Sequence, residues 1–261
     1  MTRVHEHLVE DRRDHIALLR IDREAALGAL SRGLVHALDG YLDDLADDES
    51  VRVLVLTGTG KGFIAGADIG EYHGVSAEEF ATYQRLSRQV FGRLESLSQI
   101  TIAAVNGYAL GGGFEVALCC DLLVAADRAR FGLPEVKLGL LPGGGGTQRL
   151  TRAAGIRFAT EAVVTGRFLS PEELQQRGIV SQIHPAADLI DKTIELAEDI
   201  AANPPLAVAA AKQLIRSAPE TALSDGLTVE HEVLFRLFDT ADATEGIDAF
   251  LGKRQPRFVG R

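Results

Sequence analysis

The chain has 261 residues, 46% of them hydrophobic and 25% charged, which is enough for one large globular domain or two small ones. Its 27 Lys and Arg against 37 Asp and Glu give a net charge of −10, which argues against nucleic acid or an anionic membrane as the main partner. The sequence lacks the run of ~18 apolar residues that a membrane-spanning helix needs, and its N-terminal residues lack a secretory signal pattern, so we expect a cytoplasmic protein.

Strands and helices alternate along the first two thirds of the chain. Ser31 precedes a segment with apolar residues at helical spacing, and Ser76 with Glu79 forms a capping box before a longer amphipathic helix. A shorter helix starts at about Gly112. Because parallel strands need crossover connections, this alternation predicts an α/β fold with largely parallel strands. Apolar runs predict the strands at 15–21, 51–57, 101–106, 121–126 and 179–183.

The last part of the chain is helical in pattern. Helices are predicted at 187–202, 205–217, 220–239 and 244–251, separated by prolines and by Thr240. We therefore predict a core over residues 1–200 that contains the active site, followed by a helical region over residues 201–261.

Two carboxylates stand beside glycine-rich segments. Glu115 ends the segment Ala109–Glu115, and Glu135 ends Phe131–Glu135. The surrounding sequence is apolar, and lost solvation raises the pKa of a carboxyl group enough to make it a usable acid or base near neutral pH. The pair therefore suggests proton transfer on a polarised carbonyl. The structural alternative is a helix cap and a loop salt bridge.

The glycines before Glu115 expose main-chain donors. Gly111, Gly112 and Gly113 open a helix whose first-turn N–H groups have no partner within the helix, and such donors stabilise a developing oxyanion. Close packing of the helix on a strand is the alternative reason for glycine. The small residues 65–67 of a second loop can supply another donor, and Asp68 is expected to fasten that loop by accepting backbone hydrogen bonds.

Other glycine runs and metal-binding residue types show no comparable pattern. Gly58–Gly62 departs from the dinucleotide-binding pattern at Phe63, and Gly143–Gly146 lacks the lysine of a phosphate-binding loop. The seven histidines and two cysteines show no metal-ligand spacing, so no metal site is expected. The adjacent Cys119 and Cys120 are expected to be reduced core residues.

Four segments, in order and spacing, resemble the crotonase superfamily and within it the enoyl-CoA hydratases. They are Leu56–Ile69, Val105–Glu115, Phe131–Glu135 and Leu140–Leu150, and the similarity extends from about residue 15 to Phe258. The resemblance implies a crotonase-type spiral of repeated ββα units. It also implies a C-terminal helical region that mediates assembly into a homotrimer or a dimer of trimers.

The same resemblance implies a site and a reaction, the reversible syn addition of water to a trans-2-enoyl-CoA. Backbone N–H groups of Ala67 and Gly112 form the oxyanion hole for the thioester, Glu135 gives a proton to C2, and Glu115 orients and activates the water. Coenzyme A enters as part of the substrate, and no metal, bound cofactor, nucleic acid or membrane is implied. Substrate contacts are expected at Arg23, Ala65, Gly66, Ala67, Asp68, Ile69, Gly111, Gly112 and Leu133.

Departures from the family pattern leave alternatives open. Ala25 and Gly70 stand where basic residues often hold the CoA phosphates, so Arg23, or Lys253 or Arg254 of a neighbouring copy, are the alternatives for that role. A Δ3,Δ2-enoyl-CoA isomerase, which uses a single acid, or another acyl-CoA enzyme of the superfamily is the alternative function. The residues that either line an acyl pocket or are ordinary core are Ile64, Ile69, Tyr72, Leu133 and Leu138.

Overall fold

A computed structural model describes residues 2–261, whose strands form two β-sheets. The larger sheet contains, in spatial order, β1 (Thr2–His5), β2 (Leu8–Arg13), β3 (Ile16–Ile21), β4 (Val53–Gly58), β6 (Ile100–Val105), β8 (Leu122–Ala126) and β10 (Gln182–His184). The smaller sheet contains, in spatial order, β5 (Gly62–Ile64), β7 (Tyr108–Leu110) and β9 (Arg130–Gly132).

The α-helices of these residues fall into two groups, one within the spiral and one after it. Within the spiral are α1 (Arg32–Ala46), α2 (Ala77–Ser96), α3 (Gly112–Cys119), α4 (Gly146–Ala154), α5 (Ile156–Thr165) and α6 (Pro171–Gln175). After it come α7 (Leu189–Ala201), α8 (Pro205–Ser217), α9 (Leu223–Phe238) and α10 (Ala241–Leu251).

One structural unit repeats along the middle of the chain. A strand of the larger sheet leads to a strand of the smaller sheet and then to a helix, as β4-β5-α2, β6-β7-α3 and β8-β9-α4. Successive units pair in parallel, with Val53 opposite Ile100 in the larger sheet and Ala109 opposite Phe131 in the smaller one. The predicted α/β spiral of repeated ββα units is confirmed.

The central strands are the ones that the apolar runs predict. All six residues of β4 are buried, and β3, β6 and β8 are nearly as covered. Parallel strands with both faces covered read as continuous apolar runs, because no face is left for polar residues. The helix α7 packs across β3, β4, β6 and β8.

Two kinds of strand are not predicted by the sequence pattern. The strands β1 and β2 form an antiparallel hairpin at the sheet edge, where ion pairs such as Arg12 with Glu10 replace an apolar pattern. The strands of the smaller sheet have three residues each, which is too short to show a period. The last strand begins at Gln182, later than the predicted start at residue 179.

The two helix N-termini predicted from named capping residues are confirmed. The Ser31 hydroxyl accepts a hydrogen bond from the Leu34 N–H, and Ser76 with Glu79 forms the complete capping box of α2. The final helix starts at Ala241 and not at residue 244, because the Thr240 hydroxyl caps it by accepting from the Ala243 N–H. Helices α4 to α6 are further additions to the predicted set.

Helix α8 is tied to the spiral by the buried Lys212 and the partly exposed Arg216. Lys212 donates to the Gln99 carbonyl at 2.8 Å and pairs with Asp121 at 2.8 Å, and Arg216 pairs with Asp121 at 2.9 Å. The division into a 1–200 core and a 201–261 helical region stays a prediction. Among residues 2–261, no helix is both long and apolar enough to span a lipid bilayer.

Candidate active site

Glu115 is held in the first turn of α3, under the protein surface. Its side chain is 2% exposed, and its Oε1 accepts a hydrogen bond from the Gly146 N–H at 2.7 Å. Burial raises the pKa of this carboxyl group, while the N–H groups of Gly146 and Gly144 and the charge of Arg149 oppose that rise. The site therefore contains a buried acid with donors arranged for its ionised form.

Glu135 begins a short 3₁₀ helix, Glu135–Leu138, just after β9. It is half-buried, and its Oε2 is buried without a hydrogen-bond partner among the described residues. Burial raises the pKa of Glu135 to about 7; the negative charge of Glu115 acts in the same direction. An acid with this pKa can hold and release a proton near neutral pH.

Glycines bring the main chain against Glu135. Gly111 has φ +51°, a conformation that L-residues with side chains rarely adopt, and a Cβ there would lie 2.9 Å from the Glu135 Oε1 and 3.8 Å from the Gly66 Cα. The loop before α3, the carboxyl group of Glu135 and the Gly66 loop are therefore in direct contact.

Both acids line one cavity of about 410 Å³. Their side chains are the charged ones among the described residues that line it, and the rest of the wall is mainly apolar. The Tyr72 hydroxyl accepts from Gln84 on this wall, and burial followed by the charges of Glu115 and Glu135 raises the pKa of Tyr72. The predicted site residues in the lining are Ala65, Gly66, Ala67, Ile69, Gly111, Gly112, Glu115 and Glu135.

Two main-chain donors on the cavity wall have no partner within residues 2–261. The Leu30 N–H donates to the Gly66 carbonyl and the Asp68 N–H donates to the Leu30 carbonyl, which leaves the intervening Ala67 N–H unpaired. The Gly112 N–H is the first donor of α3 and likewise bonds to no described residue. These are the two groups that the family resemblance assigns to the oxyanion hole.

Three predicted substrate contacts lie behind the cavity wall. The Arg23 guanidinium pairs with Asp68 at 2.7 Å and also donates to the Ala29 carbonyl. Asp68 thus fastens its loop through this ion pair, and not through the backbone hydrogen bonds that the sequence suggests, because its side chain caps no N–H group. Leu133 is buried beside Gly146, where a Cβ would lie 2.9 Å from it.

The apolar residues expected either to line an acyl pocket or to belong to the core fall into two groups. Ile69, Tyr72 and Leu138 line the cavity, whereas Ile64 and Leu133 are fully buried core residues outside its lining. Cys119 and Cys120 are both buried, and burial raises the pKa of the Cys120 thiol to about 12.

The loop 143–146 also contributes to the candidate site, although no role is predicted for it. It lies in the family-like segment Leu140–Leu150 and lacks a phosphate-binding lysine, and its N–H groups bind Glu115. The signal that points to it is the position of its glycines directly before helix α4, where free N–H donors are expected.

Comparisons with known proteins agree on one family. A family model described as enoyl-CoA hydratase/isomerase matches residues 11–261. The chain is 42% identical to a 2,3-dehydroadipyl-CoA hydratase of Escherichia coli, over 97% of this chain and 99% of the relative. It is 38% identical to the mitochondrial enoyl-CoA hydratase of Pongo abelii, over 97% of this chain and 88% of the relative. A crystal structure of an enoyl-CoA hydratase from Bacillus anthracis is similar with a TM-score of 0.96, at 38% identity over 98% of this chain and 100% of that chain.

Proposed function

The chain belongs to the enoyl-CoA hydratase/isomerase family, and from this premise we propose that it is an enoyl-CoA hydratase. It adds water reversibly across the 2,3 double bond of a trans-2-enoyl-CoA and forms a 3-hydroxyacyl-CoA. The observation that carries the proposal is that two glutamates with raised pKa values line the same cavity as Ala67 and Gly112.

Polarisation of the thioester begins the reaction. The carbonyl oxygen lies between the N–H groups of Ala67 and Gly112, and the dipole of α3 adds to the field at Gly112. Charge drawn toward that oxygen makes C3 electrophilic. Each such donor contributes about 2.7–4 kcal/mol to transition-state stabilisation.

The two acids divide the proton transfers. Glu115 takes a proton from the water as the water oxygen bonds to C3, and Glu135 gives its proton to C2. We assign the base role to Glu115, because N–H donors offset part of the rise in its pKa that burial causes, and the acid role to Glu135, whose pKa burial raises to about 7. General acid–base catalysis of this kind increases the reaction rate roughly 10²–10⁴-fold.

Coenzyme A is part of the substrate and supplies no chemistry of its own to these steps. Among the candidates for its phosphates, Arg23 is paired with Asp68 and Arg254 with Glu245. Lys253 makes no ion pair within the described residues, so we assign the phosphates to Lys253 of a neighbouring copy. The acyl chain extends along the apolar wall at Ile69, Tyr72 and Leu138.

Assembly into a homotrimer, or a dimer of trimers, fits the surface of the C-terminal helices. Large apolar side chains of α9 and α10 are exposed, with Leu223 78%, Phe235 68% and Phe250 83% accessible in the single chain. Exposed apolar area of this extent is typical of a protein–protein interface.

Product identification in ¹⁸O-labelled water tests the proposed activity. We expect crotonyl-CoA to lose its conjugated absorbance and to gain one labelled oxygen. Conversion of a 3-enoyl-CoA to the conjugated isomer without incorporation of the label, and no hydration of crotonyl-CoA, would identify the protein as an isomerase.

A further inference from the structure

The glycine loop that binds Glu115 is held from its other side by an arginine. We propose that Arg149 is a positioning residue that fixes the 143–146 loop and thereby sets the geometry and charge state of Glu115. The proposal rests on the proposed function, in which Glu115 activates water.

Arg149 lies in the first turn of α4 and folds back onto the loop. Its Nη1 donates to the Gly144 carbonyl at 2.6 Å. A Cβ at Gly145, where φ is +100°, would lie 2.0 Å from the same Nη1, so the guanidinium lies directly against the main chain. Glycine is needed at Gly145 both for its backbone conformation and for this close approach.

The same loop contacts the Glu115 carboxylate. The Gly146 N–H donates to the Glu115 Oε1 at 2.7 Å, and a Cβ at Gly144 would lie 2.7 Å from the Oε2. Four glycines therefore separate a guanidinium from a carboxylate, and any shift of the loop moves the donors of Glu115.

Arg149 is itself held by an ion pair. Its Nε and Nη2 donate to the two carboxylate oxygens of Glu95 on α2, at 2.7 and 2.5 Å. This bidentate ion pair restricts the orientation of the guanidinium more than a single hydrogen bond does. Glu95 also pairs with Arg216 of α8 at 3.3 Å, so the support reaches the C-terminal helices.

Arg149 affects Glu115 through its positive charge as well as through the position of the loop. Among the described residues, the charges of Glu135, Tyr72, Cys119 and Arg149 interact with that of Glu115, and Arg149 is the cation of this group. It lowers the pKa of Glu115 against the effect of burial. This effect is in the direction that the proposed reaction needs, since it favours the ionised form of Glu115.

The test compares Arg149→Gln and Arg149→Lys with the matched control Arg152→Gln. Arg152 lies on the same helix but is exposed, with a 3.5 Å contact to Glu220. We expect Arg149→Gln to lower kcat roughly 10- to 100-fold with little change in KM. The acid limb of its pH profile should move up by about one pH unit, because an opposite charge near a carboxyl group is removed.

The acid limb of Arg149→Lys should lie between those of Arg149→Gln and wild type, and Arg152→Gln should leave the pH profile unchanged. An Arg149→Gln protein with native circular dichroism and a wild-type acid limb would overturn the proposal, even with reduced kcat. If Arg149→Gln does not fold, Glu95→Gln replaces it. This variant keeps the arginine charge but releases the guanidinium from its ion pair, so kcat should fall, and an unchanged kcat would overturn the proposal.

Infrared titration of the Glu115 carboxyl group separates this proposal from the proposed function. The band is assigned by its loss in Glu115→Gln, and it needs no turnover. If wild type does not hydrate crotonyl-CoA, the hydratase proposal fails. A higher carboxyl pKa in Arg149→Gln would still support the role of Arg149, and an unchanged one would reject it.

Discussion

Glu115 and Glu135 are the same residue type in different surroundings, although burial raises the pKa of both. Glu115 has a main-chain donor at 2.7 Å and a nearby cation, both of which favour its carboxylate. Glu135 has a buried oxygen without a partner among residues 2–261 and a pKa of about 7. These differences in hydrogen bonding are what the proposed division into a base, Glu115, and an acid, Glu135, rests on.

Removal of the Glu135 charge should stabilise the protein in a pH-dependent way. Its pKa rises from an ordinary 4.5 to about 7 on folding, so the folded state holds a proton that the unfolded chain releases between these values. Stability from this group is present below the lower value and is lost as the pH rises to the upper one. The melting temperature of Glu135→Gln, relative to wild type, should therefore increase from about pH 5 to about pH 7 and then level off.

Differential scanning calorimetry across this pH range measures the effect, with the exposed Glu232→Gln as the control. A melting-temperature difference between Glu135→Gln and wild type that stays constant with pH would show that folding does not raise the pKa of Glu135.

Local sequence motifs identify the residues of the proposed substrate site but not the ion pairs that support them. Glu115, Glu135 and Gly112 stand in dense local matches to the family. Glu95 and Arg149 lie 54 positions apart, and no local pattern indicates that α2 and α4 bring them together. Such pairings depend on the packing of helices, which a single sequence does not display.

The start of α3 is the element on which the proposed oxyanion hole depends. The helix has eight residues, and Gly112 is its first, preceded by Gly111 in a glycine-only conformation. Proline is tolerated at a first helical position because the N–H there has no partner in the helix. A proline at Gly112 can therefore remove one donor and leave the helix in place.

Gly112→Pro should lower kcat for crotonyl-CoA by roughly 10²–10³-fold, because one oxyanion donor is lost. Gly112→Ala is the matched control, since it retains the N–H and its Cβ meets only the Leu30 side chain, at 3.2 Å. Circular dichroism checks the fold of both variants. Similar kcat values for the proline and alanine variants would remove Gly112 from the oxyanion hole.

The length of a helix or strand decides whether the sequence pattern can predict it. Helices α1 and α2 and strands β3, β4, β6 and β8 have an apolar period or run long enough to read. The smaller sheet has three-residue strands, and the hairpin β1–β2 is rich in charge, so neither shows such a pattern. The smaller sheet is nevertheless what places the Ala67 loop beside the start of α3.

At the scale of the whole molecule, the spiral follows from family resemblance and not from periodicity. Alternating strands and helices predict an α/β layout, but many arrangements share that alternation. The assembly state, the cytoplasmic location and the domain boundary stay predictions. The exposed apolar side chains of α9 and α10 are the observation that bears on assembly.

A charge in this apolar surface should dissociate the proposed trimer. Phe235 is 68% exposed in the single chain, and Phe235→Asp would place a carboxylate in a desolvated interface. Sedimentation should show three or six chains per particle for wild type and one for the variant. Val4→Asp, an exposed apolar site on β1, is the control and should keep the particle size of wild type. A wild-type protein that sediments as a monomer would reject the assembly proposal.

In the proposed reaction, Glu115 and Glu135 act together on one water molecule and one double bond. The most direct test measures kcat for crotonyl-CoA hydration in Glu115→Gln, Glu135→Gln and the double variant, with ligand affinity measured alongside. Groups that act as a unit give non-additive losses, so each single variant should lose about as much as the double one, roughly 10²-fold or more, with binding nearly intact. Wild-type turnover in either single variant, or losses that multiply in the double variant, would contradict the account.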